Sequence, residues 1–157
     1  ISHIAENTLD CKFTSDKPNT VFVSDVTEFR IAGRKVYLSP VMDLFDRSIV
    51  AHTVATSPST AFTADALTQT IKMCAPETGW MMHTDQGFQY QHSSWRNLIH
   101  DNGGVQSMSR KANCYDNAVM ENGPDPLVVD TLKPACRWGS EVPFHHATQD
   151  LHRAVQA

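Results

Sequence analysis

At 157 residues, with 41% hydrophobic and 19% charged positions, the chain has the composition of an ordinary globular protein and the length of one domain with a sizeable core. No apolar run approaches the length of a membrane span, and no secretory signal opens the chain. The formal net charge of −4 excludes a binder that holds nucleic acid by a global basic excess, so any DNA role must rest on local basic patches, on metal ions or on parts outside this chain.

The chain begins at Ile1 and is expected to be a piece of a longer protein. Its cysteines, Cys11, Cys74, Cys114 and Cys136, are scattered with no C-x-x-C pair. That pattern points to reduced thiols in a cytoplasmic protein, not to a disulfide framework. His145 and His146 near Cys136 fit no common zinc module.

Residues 1–19 are polar, end in a turn-like Lys17-Pro18-Asn19, and read as an arm. "TVFVSDVTEF" (20–29) is rich in β-branched and aromatic residues and predicts a strand. A turn at Gly33 leads to a second strand, "KVYLSPVMDL", which carries Pro40; a polar link then leads to a third, "SIVAHTVAT". Three strands with short links predict an antiparallel meander.

Ser57-Pro58 predicts a helix start, with Ser as N-cap and Pro at the first helical position, running to about Cys74 before Pro76. Leu67, Ile71 and Cys74 fall on one face of it; Asp65, Thr68, Gln69 and Lys72 fall on another. Then follow a fourth strand at "WMMHTD", a helix over residues 93–100, a fifth strand at "GVQSMS" and a helical turn over 117–121. Strands followed by alternating helix and strand make an α/β layer: a mixed five-stranded sheet flanked by helices. Past Glu121, the residues Pro124, Pro126, Pro134, Gly139 and Pro143 interrupt any apolar period, and an extended or poorly ordered tail is expected.

Three carboxylates stand out. Asp25 lies in mid-strand, sharing by alternation the face of Val21 and Val23, where a carboxylate is costly unless paired, hydrogen-bonded or coordinating a cation. A bulge or edge position that reaches water is the alternative. Asp85 ends the fourth strand in "HTDQG", where ligands gather in open sheets with parallel strands, although a strand-end turn also favours Asp. Glu121 shares a helix face with Asn117 and Ala118; it is either a solvated helix end or a ligand, and the helix dipole disfavours it there. If the three converge, they form an oxygen-rich site for hard divalent ions, of the kind that activates a water or hydroxyl and stabilises a leaving oxygen in phosphoryl transfer.

The segments "NTVFVSDVTEF", "KVYLSPVMDLFDRSIVAH", "MMHTDQGFQYQ" and "SMSRKANCYDNAVMEN", in that order from about Pro18 to Asn122, resemble the integrase core of bacterial DDE-type insertion-sequence transposases. More narrowly they resemble the second-reading-frame protein of the group whose transposase is made by frameshifting. The resemblance implies a ribonuclease-H-like fold and a core over residues 20–122, between the arm (1–19) and a divergent tail (123–157). It implies an Asp25, Asp85, Glu121 triad binding two magnesium or manganese ions; residues 86–120 lie between the last two acids, the family's spacing of thirty-five. It implies DNA cleavage and strand transfer, with transposon ends and target DNA as partners, and a homo-oligomer. End-recognition parts of the usual kind are not visible in this chain. Ser109, Arg110 and Lys111 become candidate phosphate contacts, or else a solvated basic loop, and Asn117 either orients Glu121 or touches DNA. Asp43 and Asp46 read as turn residues.

There are departures. Phe22 and Val23 stand where relatives often have Trp, and Ala112 replaces the usual Gly after "SRK". After Asn122, "GPDPLVVDTLKPACRWGSEVPF" breaks the family pattern and cuts short the helix carrying Glu121. The alternative to a competent core is therefore a truncated or frameshifted remnant that keeps the fold and weak DNA or partner binding. A third reading is a related nuclease that hydrolyses without joining.

Overall fold

The computed structural model describes residues 3–9, 14–31 and 33–109. Its elements in chain order are β1 (Val21–Ser24), β2 (Thr27–Ile31), β3 (Arg34–Asp43), β4 (Ile49–Ala55), α1 (Thr60–Cys74), β5 (Met81–Thr84), α2 (Phe88–Gln91), α3 (Ser93–Asp101) and β6 (Val105–Met108). β3 pairs antiparallel with β1, β2 and β4, whereas β5 runs parallel to both β1 and β6. The sheet is mixed, as expected. The first expected strand is divided at Asp25-Val26, so six strands stand where five were read.

The helix cap also differs. The N-cap of α1 is Ser59, whose side chain accepts from the Phe62 N–H at 3.2 Å, and Ser57-Pro58 stay outside the helix. Both serines suit the role, and local sequence does not separate them. At its other end Ala75 takes a left-handed conformation (φ 42°) and its N–H bonds the Ile71 carbonyl, directly before Pro76. The single-turn α2 was not foreseen, because four residues carry no readable period.

Helices cover one face of the sheet. Phe22, Val41, Ala51, Ala66, Leu67, Trp80, Met82, Tyr90, Trp95, Ile99 and Met108 form the core between sheet and helices, with Ile71 and Cys74 packed against it. Hence the Leu67 face of α1 points inward, while Asp65, Gln69 and Lys72 are exposed. Trp80 anchors the junction of sheet and helices. It meets Phe22 edge-on at 5.9 Å, its indole N–H donates to the Asn102 carbonyl at 2.9 Å, and Gly104 lies beneath its ring.

β-Strand alternation puts His83 and Ser107 on the sheet face opposite Met82 and Met108. The Ser107 hydroxyl accepts from the Thr8 and Leu9 N–H groups at 2.9 and 3.1 Å. With both lone pairs occupied, its proton goes to His83 Nδ1, 2.9 Å away, which makes His83 the Nε2–H tautomer. The Met108 N–H donates to the Glu6 carbonyl at 3.2 Å, so residues 3–9 lie along the β6 edge and cover backbone that would otherwise be open.

Two outcomes follow from this packing. A Cβ at Gly104 would stand 2.5 Å from Trp80 Cε2 and 2.8 Å from Ile99 Cγ2, so Gly104→Ala should destabilise by about 1–3 kcal/mol in denaturant titration. Ser107→Ala should release the arm, seen as faster hydrogen exchange at the Thr8 and Leu9 amides with the sheet amides unchanged.

Candidate active site

The parallel pairing of β1 with β5 brings the two aspartates together. Val21 faces Met81, Phe22 faces Met82 and Val23 faces His83; carried two residues further, the same register sets Asp25 beside Asp85. Each acid lies just past the carboxyl end of its strand, and neighbouring strands stand about 4.8 Å apart. Both line one open pocket of about 300 Å³, with Val26, Glu28, Tyr37, Pro58, Gln89 and Tyr90.

Local turns hold the carboxylates. Asp25 Oδ1 accepts the N–H of the next residue, Val26, at 2.8 Å. Asp85 Oδ1 accepts the Gly87 N–H at 2.7 Å. The glycine serves space and not backbone angle: a Cβ there would stand 2.9 Å from Asp85 Oδ1 and 2.9 Å from Gln89 Oε1, and would displace those side-chain ends. Around this turn, the Gln86 amide donates to the Ser109 carbonyl at 2.9 Å and the Gln91 amide donates to the Gln86 carbonyl. Asp43 and Asp46 take the turn roles read from sequence. Asp43 accepts from the Asn19 and Phe45 N–H groups, and Asp46 accepts from the Ser48 N–H and hydroxyl.

Beneath the two acids lies Tyr90, 1% exposed and packed edge-on against Trp95 at 4.8 Å. Ser24 gives its proton to the Pro40 carbonyl at 2.9 Å, so across the 3.5 Å between the two hydroxyls the phenol is the donor. Burial raises the Tyr90 pKa well above the ordinary tyrosine value, and the negative charges of Asp25 and Asp85 push it the same way. The phenol is therefore protonated and neutral around neutral pH. Nothing in the sequence singled out Tyr90, five residues past the strand-end acid and preceded there by a second aromatic, Phe88.

Glu28 also lines the pocket, but Lys35 holds it at 3.1 Å and keeps its carboxyl below the usual range. Among the described residues no three metal-ligating side chains converge. Ser109 is 5% exposed; its N–H donates to the Thr84 carbonyl at 2.9 Å, tying the end of β6 to β5. Arg110, Lys111, Asn117 and Glu121 lie outside the described residues, as do Cys114, Cys136 and the tail.

The Tyr90 shift has a definite sign. A phenol whose folded pKa is raised leaves the folded state holding more protons than the unfolded chain above pH about 10, so its stabilisation is present below that pH and lost as pH rises further. Chemical denaturation between pH 8 and 11 should show this alkaline loss in the wild type and a shallower one in Tyr90→Phe.

Comparison with known proteins places this geometry. The integrase core domain model matches residues 15–114. The putative transposase InsK of insertion sequence element IS150 from Escherichia coli is 39% identical over 87% of this chain and 46% of its own length. A transposase-like protein of Haemophilus influenzae is 35% identical over 99% of this chain and 69% of its own, a match that runs on past Asn122. This chain thus spans about half of the first relative and two thirds of the second. Among solved structures, a chain of the simian T-cell lymphotropic virus intasome, solved in complex with the PP2A regulatory subunit B56 gamma, superposes with TM-score 0.62 at 17% identity, over 76% of this chain and 39% of that one. The HTLV-2 integrase catalytic core, solved in complex with magnesium, gives 0.55 at 16%, over 77% and 84%. The fold is that of the ribonuclease-H-like integrase cores, and the chain belongs to the integrase core domain family of insertion-sequence transposases.

Proposed function

We propose that this chain is the catalytic core of a transposase that cuts DNA at transposon ends and joins the freed 3′ hydroxyl to a target phosphodiester. Asp25 and Asp85, completed by Glu121, hold two divalent cations, magnesium or manganese. The observation that carries the reading is the in-register placement of the two aspartates at adjacent parallel strand ends, lining one pocket.

The donor set suits hard cations, which take carboxylate oxygens and keep water. Asp85 Oδ1 is engaged by Gly87, and no hydrogen bond to Asp85 Oδ2 occurs among the described residues, so that oxygen is available to a cation. Bound there, such ions would supply Lewis-acid activation of the attacking oxygen and relief of charge on the leaving one. The chain's own share is to hold two like charges side by side on rigid strands and to floor the site with a neutral phenol.

DNA is the substrate in this reading. Despite the acidic net charge, Arg30 faces Lys35 on the hairpin of β2 and β3, on the same face as the pocket-lining Glu28 and Tyr37 and one step farther from the acids. Buried Ser109 anchors the segment from which Arg110 and Lys111 would reach phosphates, and Asn117 would act beside Glu121. The active form is a homo-oligomer served by end-recognition parts outside this chain, and binding by the isolated core is weak and salt-sensitive.

An end-labelled transposon-end duplex with manganese should give both nicked and joined products. Asp85→Asn, nearly isosteric, should reduce both by at least about 100-fold, beyond the loss typical of residues that only support a metal ligand, with its thermal midpoint little changed. Nicking without joining would favour the hydrolytic nuclease, and a wild-type chain inert on every DNA end would sink the reading.

A further inference from the structure

The ladder between β1/β2 and β3 keeps one register through the acid. Ser24 faces Val41 before it and Thr27 faces Leu38 after it, so Asp25 stands opposite Pro40 and Val26 opposite Ser39. No residue is inserted, yet regular strand structure lapses at residues 25 and 26.

Antiparallel rungs alternate between hydrogen-bonded and non-bonded pairs. The Leu44 N–H donates to the Val21 carbonyl at 3.0 Å, which makes 21/44 a bonded rung, and with it 23/42 and 25/40. Residue 40 is therefore the one called on to donate to the Asp25 carbonyl, and proline has no N–H. On its other side β3 loses nothing, because its odd residues face β4: the Asp43 N–H donates to the Ser48 carbonyl at 2.9 Å. Proline is rare in a strand paired on both sides, as β3 is here. It occupies the rung of a candidate metal ligand. The Pro40 carbonyl takes its hydrogen bond from the Ser24 hydroxyl, which also contacts Tyr90. A regular strand would leave Asp25 on the face of Val23, away from the helices; instead it lines a pocket with Gln89 and Tyr90 of α2.

We propose that Pro40 is a positioning residue of the carboxylate site: by withholding one ladder hydrogen bond opposite Asp25, it opens the strand so that this carboxylate turns back onto the Val26 N–H and into the pocket shared with Asp85. The inference rests on the reading of these two aspartates as cation ligands, and it deepens that reading.

Pro40→Val restores the N–H with a strand-favouring side chain. The amide introduced at position 40 should be protected from hydrogen exchange, and the thermal midpoint should hold or rise. Manganese binding by calorimetry should weaken by about 10-fold or more, the loss typical of residues that orient a metal ligand. A residue tolerated only for packing would not move stability and metal affinity in opposite directions. An unprotected amide, or a protected one with wild-type manganese affinity, overturns the proposal. Pro40→Ala gives the same readouts if the valine variant does not fold. Wild-type and Asp85→Asn titrations run alongside: absence of wild-type binding condemns the cation reading itself, while the exchange result still decides whether Pro40 opens the strand.

Discussion

The parallel pairing of β1 with β5 is the constraint on which the rest of the molecule depends. Asp25 and Asp85 are distant in sequence, and only this register makes them neighbours. Parallel strands are stable when both faces are covered, and both strands are: Phe22, Ser24, Met82 and Thr84 lie under the helices, Val23 and His83 on the far side, and all six are buried. A slip of one residue would drive His83 into the helical layer and strip it of Ser107, while Met82 would leave the core it shares with Trp80. Hydrophobic patterning thus sets the position of the acids, although neither acid contributes to it.

What the register assembles is costly in itself. Two carboxylates at neighbouring strand ends repel, and beneath them sits a phenol whose ionisation their charge opposes. The fold accepts the arrangement because short local bonds hold each acid: Asp25 on the Val26 N–H, Asp85 on the Gly87 N–H. Both bonds are local, within two residues of the acid that accepts them. A cation between such acids would relieve the repulsion, and sites of this kind trade stability for function.

Much of this was legible in the sequence, and the limits have physical causes. The meander, the long helix and the later strands announced themselves by β-branched runs, an apolar stripe and Gly or Pro punctuation. Asp25 stood out because a carboxylate in a run such as "VFVSDV" contradicts its surroundings. The division of its strand was legible only as the alternative of a bulge or edge at Asp25, because what stands opposite it, Pro40, lies far along the chain, and opposition across a ladder is a property of register. Tyr90 was missed for a similar reason: its meaning comes from lying beneath two acids that are remote or unremarkable in sequence. The start of α1 was misplaced because Ser57 and Ser59 flank Pro58 and only the capping hydrogen bond decides between them. Glu121, Arg110, Lys111 and Asn117 rest on motif likeness alone.

The same logic accounts for how little sequence the fold needs in order to persist. At 17% identity to a chain of a viral intasome the backbone still superposes with a TM-score of 0.62, and relatives with transposase names diverge to 39% and 35%. Strand register, which sets the two acids side by side here, survives substitutions that keep apolar residues on alternate positions. In this chain backbone register sets where Asp25 and Asp85 stand, and the Ser24 hydroxyl links the Pro40 carbonyl to the Tyr90 phenol beside them.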